Sequence, residues 1–308
     1  MQLAQAAPKN LAVGLTMALA GSVAFSGKAI IVKLAYRYGV DAVTLIMYRM
    51  LFALPIFALM AWWSSRGQPA LTRSDALGVL GLGFSGYYLA SFLDFAGLAY
   101  ISASLERLIL YLNPTLVVLL GWLMYRRRPG RNQWLGMLAS YGGVMLVFGH
   151  EVSLQGPNVG LGALLVLGSA ISYALYLNYS GEMVRRLGSL RLVGWATSVA
   201  CGLCIVQFLV LRPLSSAVVA PEVITLSIVN AVLCTAVPVL LVMMAIERIG
   251  AALAAQTGMV GPMSTIVLGV WLLDEPLTVW VMAGTALVLL GIYGFSRQPP
   301  HSAPGRAG

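Results

Sequence analysis

The chain has 308 residues, of which 59 % are hydrophobic and only 9 % charged, with a formal net charge of +9 and a mean hydropathy of +0.87. So few charges cannot solvate the surface of a water-soluble domain, so much of this surface must face lipid. The basic residues cluster between apolar runs rather than forming one basic face, which argues against nucleic acid as a partner and assigns the charge to membrane orientation.

A polar leader with Lys9 precedes apolar runs of helix-spanning length. The predicted spans are Leu11–Leu34, Val43–Trp63, Ala76–Leu98, Ala103–Met124, Gln133–Gly149, Leu161–Tyr179, Leu192–Leu211, Val223–Ile246, Ala251–Leu273 and Val279–Phe295. The fold class is thus an all-α polytopic membrane protein of about ten transmembrane helices. The tail from Ser296 is rich in proline, glycine and arginine and reads as disordered. The first run is read as a retained helix rather than a cleaved signal, because Arg37 and Gly39 match Arg186 and Gly188 further along.

The stretch Ile101 to Gly143 recurs 148 positions later: Ile101 falls on Ile249, Ala103 on Ala251, Pro114 on Pro262, Gly121 on Gly269, Gly136 on Gly284 and Gly143 on Gly291. Such self-similarity divides the chain into repeats, 11–149 and 161–295, followed by the tail 296–308. Thirteen of the 19 Lys and Arg residues fall in connections on one side: Lys9, Arg66, Arg73, Arg126, Arg127, Arg128, Arg131, Arg185, Arg186, Arg191, Arg248, Arg297 and Arg306. Lys33, Arg37 and Arg212 fall on the other. The positive-inside rule then places both termini in the cytoplasm, on the inner membrane of the cell. Five spans per half is an odd number, so the second half enters the membrane inverted. That architecture recurs in secondary transporters that work by alternating access around a midplane site.

Several features together resemble the drug/metabolite transporter superfamily, specifically its EamA-domain members. They are the ERIGAALAAQ start of the ninth span with Pro262 inside it, the LLDEPLT exit with Glu275, Gly284 and Gly291, and in the first half AYISASLERL, Pro114, Gly136 and Gly143. The resemblance covers Leu11 to Phe295. It implies a carrier of a small molecule, often an exporter, and leaves the substrate open among amino acids, amines and similar polar metabolites. The glutamate that the family pattern places at the exits of both the fourth and ninth spans is present here as Glu275 only; the matching region of the first half carries Arg126 and Arg127.

Charges inside apolar spans cost about 2.5–3.5 kcal/mol each on insertion scales, so they mark candidate sites. Lys28, Arg49, Asp94, Glu106 and Arg107 all lie in the first half near one boundary, and three cations against two carboxylates suit a substrate carboxylate or a proton-coupled one. Arg49 suits a membrane anchor better than a site. Tyr87, Ser91 and Asp94 share a helix face; Asn113 lies seven residues from Glu106, Tyr173 and Tyr176 are near neighbours, and Gln256 and Thr257 begin the ninth span. These polar residues are expected to line a translocation path, with interhelical hydrogen bonding as the alternative. Pro114 and Pro262 are expected to kink their helices as hinges.

Gly14 with Gly21 and Gly136 with Gly143 predict close helix packing within one chain, leaving monomer or homodimer open. Cys201 and Cys204 read as packing residues, and Asp274-Glu275-Pro276 as a turn and cap. No catalytic residue, metal site or cofactor is expected; ion or proton coupling stays open. The alternatives are a membrane-embedded enzyme, which lacks an intramembrane histidine or metal-spaced carboxylates here, and a channel or scaffold.

Overall fold

The computed structural model describes residues 8–125, 130–155, 158–258 and 260–296, and within them the side chains other than those of 8–10, 125, 154–155, 243, 246–247, 250–256, 258, 262 and 295–296. The predicted tail beyond Ser296 and the Arg126–Arg128 cluster lie outside the described residues.

Among the described residues the fold is entirely helical: α1 (Pro8–Tyr36), α2 (Ala42–Ser65), α3 (Arg73–Leu82), α4 (Ala90–Leu98), α5 (Ala103–Leu110), α6 (Asn113–Tyr125), α7 (Arg131–Gln155), α8 (Asn158–Leu187), α9 (Ser189–Leu211), α10 (Pro221–Ala231), α11 (Val237–Gly258), α12 (Gly261–Leu273) and α13 (Val279–Ser296). A π-helical segment, Gly83–Leu89, joins α3 to α4, and another, Val232–Ala236, joins α10 to α11. Among the described residues eight helical stretches are long and apolar enough to cross a membrane, and Met263–Leu273 and Val279–Gly294 are shorter apolar helices. Large apolar side chains point outward along them, including Trp63, Leu77, Leu123, Leu138, Val210, Trp271 and Leu290. In water such a surface would aggregate; in lipid it is the solvated surface.

Helix starts sit where polar caps stand. Asp41 accepts from the Val43 and Thr44 backbone N–H groups and opens α2. Thr72 and Asp75 form a reciprocal capping box that starts α3 three residues before the predicted Ala76. Such caps lie outside the apolar window, which is why hydropathy alone starts the helix late and also ends α7 at Gly149 rather than Gln155. Gly39 (φ 75°) and Gly188 (φ 81°) turn the chain in the left-handed region after α1 and α8.

Two expectations change. The loop predicted at 247–250 is helical, since α11 runs Val237–Gly258. Even so, Gly14 lies against Ile249, Gly21 against Val242 and Gly27 against Cys234, whereas Gly261 sits against Ser22 and accepts from Ser26. The chain therefore descends along α1 and reverses direction between Ile249 and Gly261. Second, Pro114 is not a kink within a continuous helix. α5 stops at Leu110, a turn follows, and Pro114 is the second residue of α6. Pro262 likewise occupies the first turn of α12; its side chain is outside the described set. A proline's missing N–H is harmless in a first turn, so these prolines start helices after a break.

The most extensive pairings are α7 with α13, α1 with α11, α2 with α9, and α4 with α8. Small residues allow them. Gly143 faces the Gly284 carbonyl and Gly291 faces the Gly136 carbonyl across the α7–α13 contact, and Gly194 meets the Ala61 backbone across α2–α9. Cys201 and Cys204 are buried in that second contact, with Cys201 Sγ 3.7 Å from Met50 Sδ.

Candidate functional site

A cavity of about 560 Å³ lies between α1, α2, the Gly83–Leu89 segment with α4, α5, α8, α9, α11 and the start of α12. Such a volume suits a small organic molecule. Its wall is mostly apolar, with Phe25, Met50, Phe57, Tyr111, Tyr173 and Val193 among the larger contributors.

The charged residues gather at one end. Lys28 Nζ is 2.5 Å from Asp94 Oδ2 and 3.4 Å from Glu106 Oε1. Asp94 is 2 % and Glu106 0 % exposed. One ammonium thus holds two buried carboxylates, which would otherwise repel one another. Arg107 is held by neutral groups: Nε donates to Thr265 Oγ1 at 2.9 Å and Nη2 to the Phe25 carbonyl at 3.1 Å. Arg49 donates from Nε to Thr235 Oγ1 at 3.1 Å and lies 5.1 Å from the centroid of the Phe95 ring.

Lys28, Tyr87, Ser91, Asp94, Arg107, Asn113 and Tyr173 all line the cavity. Glu106 stands behind Lys28 and does not line it. Tyr176 is also a layer back, with its hydroxyl 3.1 Å from that of Tyr87 and its ring stacked on Tyr173. The tyrosines thus both line the space and bond between helices. Thr257 is not part of the lining, and the Gln256 and Pro262 side chains lie outside the described residues. Pro114 is exposed on the molecule's outer surface, with Asn113 beside it facing inward.

Several cavity residues escape a sequence reading. Arg49 lines it and is 6 % exposed, so it is no surface anchor. Thr235 and Tyr87 occupy equivalent places, 148 positions apart, in the two π-helical segments. Thr235 Oγ1 donates five residues back to the Asn230 carbonyl, the spacing that a π turn opens. Asn113 and Gly261, at the starts of α6 and α12, are also 148 apart and also line the cavity. Tyr87 and Asn113 are already expected from their polar spacing; the signal for Thr235 and Gly261 is the repeat offset itself.

A second cavity of about 450 Å³ lies beyond the α4–α5 turn, lined by Lys33, Arg37, His150, Glu151 and Glu275 among others. There Glu275 accepts from the Ala103 N–H at 2.7 Å, the Ser104 N–H at 3.2 Å and the Ser104 hydroxyl at 2.8 Å. Glu151 accepts from the Ser102 hydroxyl and backbone N–H. These carboxylates satisfy the free N–H groups at the start of α5 and its positive dipole end. Lys33 donates to the Leu98 and Ile101 carbonyls, covering the end of α4. Glu275 is therefore a cap, but of a helix in the other half of the chain.

The model of the EamA-like transporter family matches residues 12–149 and again 160–297. The uncharacterized transporter YcbK of Bacillus subtilis (strain 168) is 30 % identical over 293 residues, covering 93 % of each chain. The uncharacterized transporter YetK of the same organism is 22 % identical over 285 residues, covering 91 % of this chain and 86 % of its own. A solved crystal structure superposes with a TM-score of 0.62 at 16 % identity, covering 93 % of this chain and 98 % of its own, a likeness of fold alone. With its multiple apolar helices, a family model matched twice along its length and transporters as relatives, the chain is a multi-pass membrane protein and belongs to the EamA-like transporter family.

Proposed function

We propose that the protein is a secondary transporter that moves a small polar metabolite across the cytoplasmic membrane by alternating access, in the direction of export. The observation that carries this reading is the position of the first cavity: both halves of the chain wall it, and the interrupted helices of both halves, α5–α6 and α11–α12, break beside it. Discontinuous helices meeting at a site between repeats are the usual substrate position of inverted-repeat carriers.

Ten crossings in two inverted halves, about 11–149 and 161–295, are supported by correspondences at the repeat offset. The π-helical segments and the helix breaks recur, as do the left-handed Gly39 and Gly188, which stand 149 rather than 148 positions apart. The pairings also exchange under the swap of halves: α1 with α11 matches α8 with α4, and α1 with α12 matches α8 with α6. Halves related by a two-fold swap make such reciprocal contacts, and an odd number of spans per half would turn that swap into an inversion. Both termini then lie in the cytoplasm. One chain encloses the cavity, so a monomer, or a dimer of independent chains, suffices.

Purified protein in sealed vesicles tests the reading. A carrier gives saturable uptake and accelerated exchange when candidate metabolites, amino acids and amines first, are loaded on the opposite side. Flux that rises linearly with concentration and shows no exchange would replace the carrier with a channel.

A further inference from the structure

We propose that Arg49 is the anion-binding residue of the central cavity, and that the transported molecule is a carboxylate carrying an apolar body. The inference rests on the carrier reading above and names the class of substrate for that same site.

The charge distribution is the starting point. Three cations, Lys28, Arg49 and Arg107, border the cavity with one carboxylate, Asp94, and a second carboxylate, Glu106, stands behind Lys28. Both carboxylates lie on Lys28, at 2.5 and 3.4 Å. Among the described residues neither arginine has a carboxylate within ion-pair distance. Of the two arginines, Arg107 spends Nε and Nη2 on a hydroxyl and a carbonyl. Arg49 spends Nε on the Thr235 hydroxyl, and its buried Nη1 has no acceptor among the described residues.

A guanidinium keeps its charge in any protein environment, so burial cannot be relieved by losing the proton. An unpaired buried donor and an uncompensated charge are both costly. An anchoring arginine would extend its head toward the lipid headgroups. Arg49 instead turns inward, against Phe95 and Thr235, and is 6 % exposed. The cavity that it borders is the space from which a counter-charge can reach it.

A second, independent feature points the same way. The first residues of α6 and α12, Asn113 and Gly261, border the same cavity, each beginning a helix of 13 residues after a break. Helix starts carry partial positive charge and spare N–H groups, so two of them at one cavity favour an anion. Asn113 Oδ1 is also without a partner among the described residues, leaving room for a donor on the same ligand.

The rest of the wall defines the body of the ligand. Phe25, Met50, Phe57, Tyr173 and Val193 offer aromatic and aliphatic surface across most of about 560 Å³. A small, fully hydrated anion would leave that surface wet and gain little, whereas an aryl or alkyl carboxylate fills it.

The test measures ligand-dependent melting of the full chain in detergent with four probes: phenylacetate, phenylacetamide of the same shape without charge, phenethylamine of opposite charge, and acetate without the apolar body. Phenylacetate is expected to raise the melting temperature saturably, and the other three to do so weakly or not at all. Arg49→Gln should weaken phenylacetate binding on the order of tenfold or more, while Arg185→Gln, at an exposed pair with Glu182, leaves it unchanged. Should Arg49→Gln fail to fold, Thr235→Val, which removes the hydroxyl orienting the guanidinium, is read in its place and should weaken binding several-fold. The proposal is overturned if the wild type does not respond to phenylacetate, if the amide or the amine binds as well as the acid, or if the variant that is read binds unchanged. Those outcomes leave the carrier reading intact, because it depends on saturable flux and exchange for whatever metabolite the vesicles do transport.

Discussion

Lys28 is the residue on which the polar end of the cavity depends. It is 16 % exposed and neutralises two carboxylates that are almost wholly enclosed. Removing the shared partner of a buried ion pair typically costs about 3–5 kcal/mol, because the charge left behind has nowhere to go. Lys28→Met should therefore lower the melting temperature much more than Asp94→Asn, which leaves Lys28 paired with Glu106. Equal losses in the two variants, read by thermal melting in detergent, would contradict the shared-ammonium arrangement. Asp41 offers a residue-level test outside the membrane. Its partial burial raises the carboxyl's proton affinity, but the Thr44 hydroxyl and backbone N–H, the Arg212 guanidinium and the Val43 N–H together outweigh that and hold it below the usual range. A depressed carboxyl stabilises the fold above its unfolded value, about 3.9, and that contribution is lost as pH falls through the folded value. Asp41→Ala should cost about 1 kcal/mol at neutral pH through the lost helix cap, and the difference from wild type should shrink below about pH 4, as melting across a pH series would record. Sequence exposed these residues unevenly. Lys28, Asp94, Glu106 and Arg107 stood out as charges in apolar runs. Arg49 did too, but its depth along its own helix suggested an anchor; which way it faces depends on neighbours that a single helix does not reveal.

At the scale of the element, the α7–α13 pair shows how glycine sets an interface. A Cβ on Gly284 would sit 2.6 Å from the Gly143 carbonyl oxygen, and one on Gly143 would sit 2.5 Å from the Gly284 carbonyl oxygen. Backbone cannot yield as a side-chain tip can, so Gly284→Ala should force the helices apart at about 1–3 kcal/mol. Gly142→Ala, one residue from the contact with open space around it, should be neutral or slightly stabilising. A melting temperature for Gly284→Ala equal to that of Gly142→Ala would remove the close approach. The sequence marked Gly136, Gly143, Gly284 and Gly291 through the repeat, and Pro114 with Pro262 as interruptions. It did not show that both prolines begin helices, because the apolar run resumes at Leu116 and the whole stretch keeps the length of a single span. The π-helical segments were invisible for a related reason: an extra residue in a turn changes the hydrogen-bond register, not the composition. Tyr87, Ser91 and Asp94 still share one side of the cavity, although Tyr87 lies in π-helical geometry that an ideal α-helical count does not include.

For the whole molecule, the apolar composition and the 148-residue offset made the helical membrane fold legible, and the family match spans both halves. The offset could not say which helices touch. That required the pairings of α2 with α9 and α7 with α13, each joining matching spans of the two halves. Orientation is a prediction at this scale. Reporter fusions at both ends of the chain should register in the cytoplasm, and single cysteines near Gly39 and Pro213 should react with a membrane-impermeant thiol reagent from outside. Termini on opposite faces would remove the odd-numbered halves, and with them the inverted arrangement. The Glu275 contact carries a consequence for any rocking motion. Its carboxylate belongs to the second half and its three donors, on Ala103 and Ser104, to the first, so parting the halves at that face strips an anion of its ligands. Water entering that face, with Lys33 and Arg37 of the same cavity, has to supply replacements, so unlatching this face and wetting it go together.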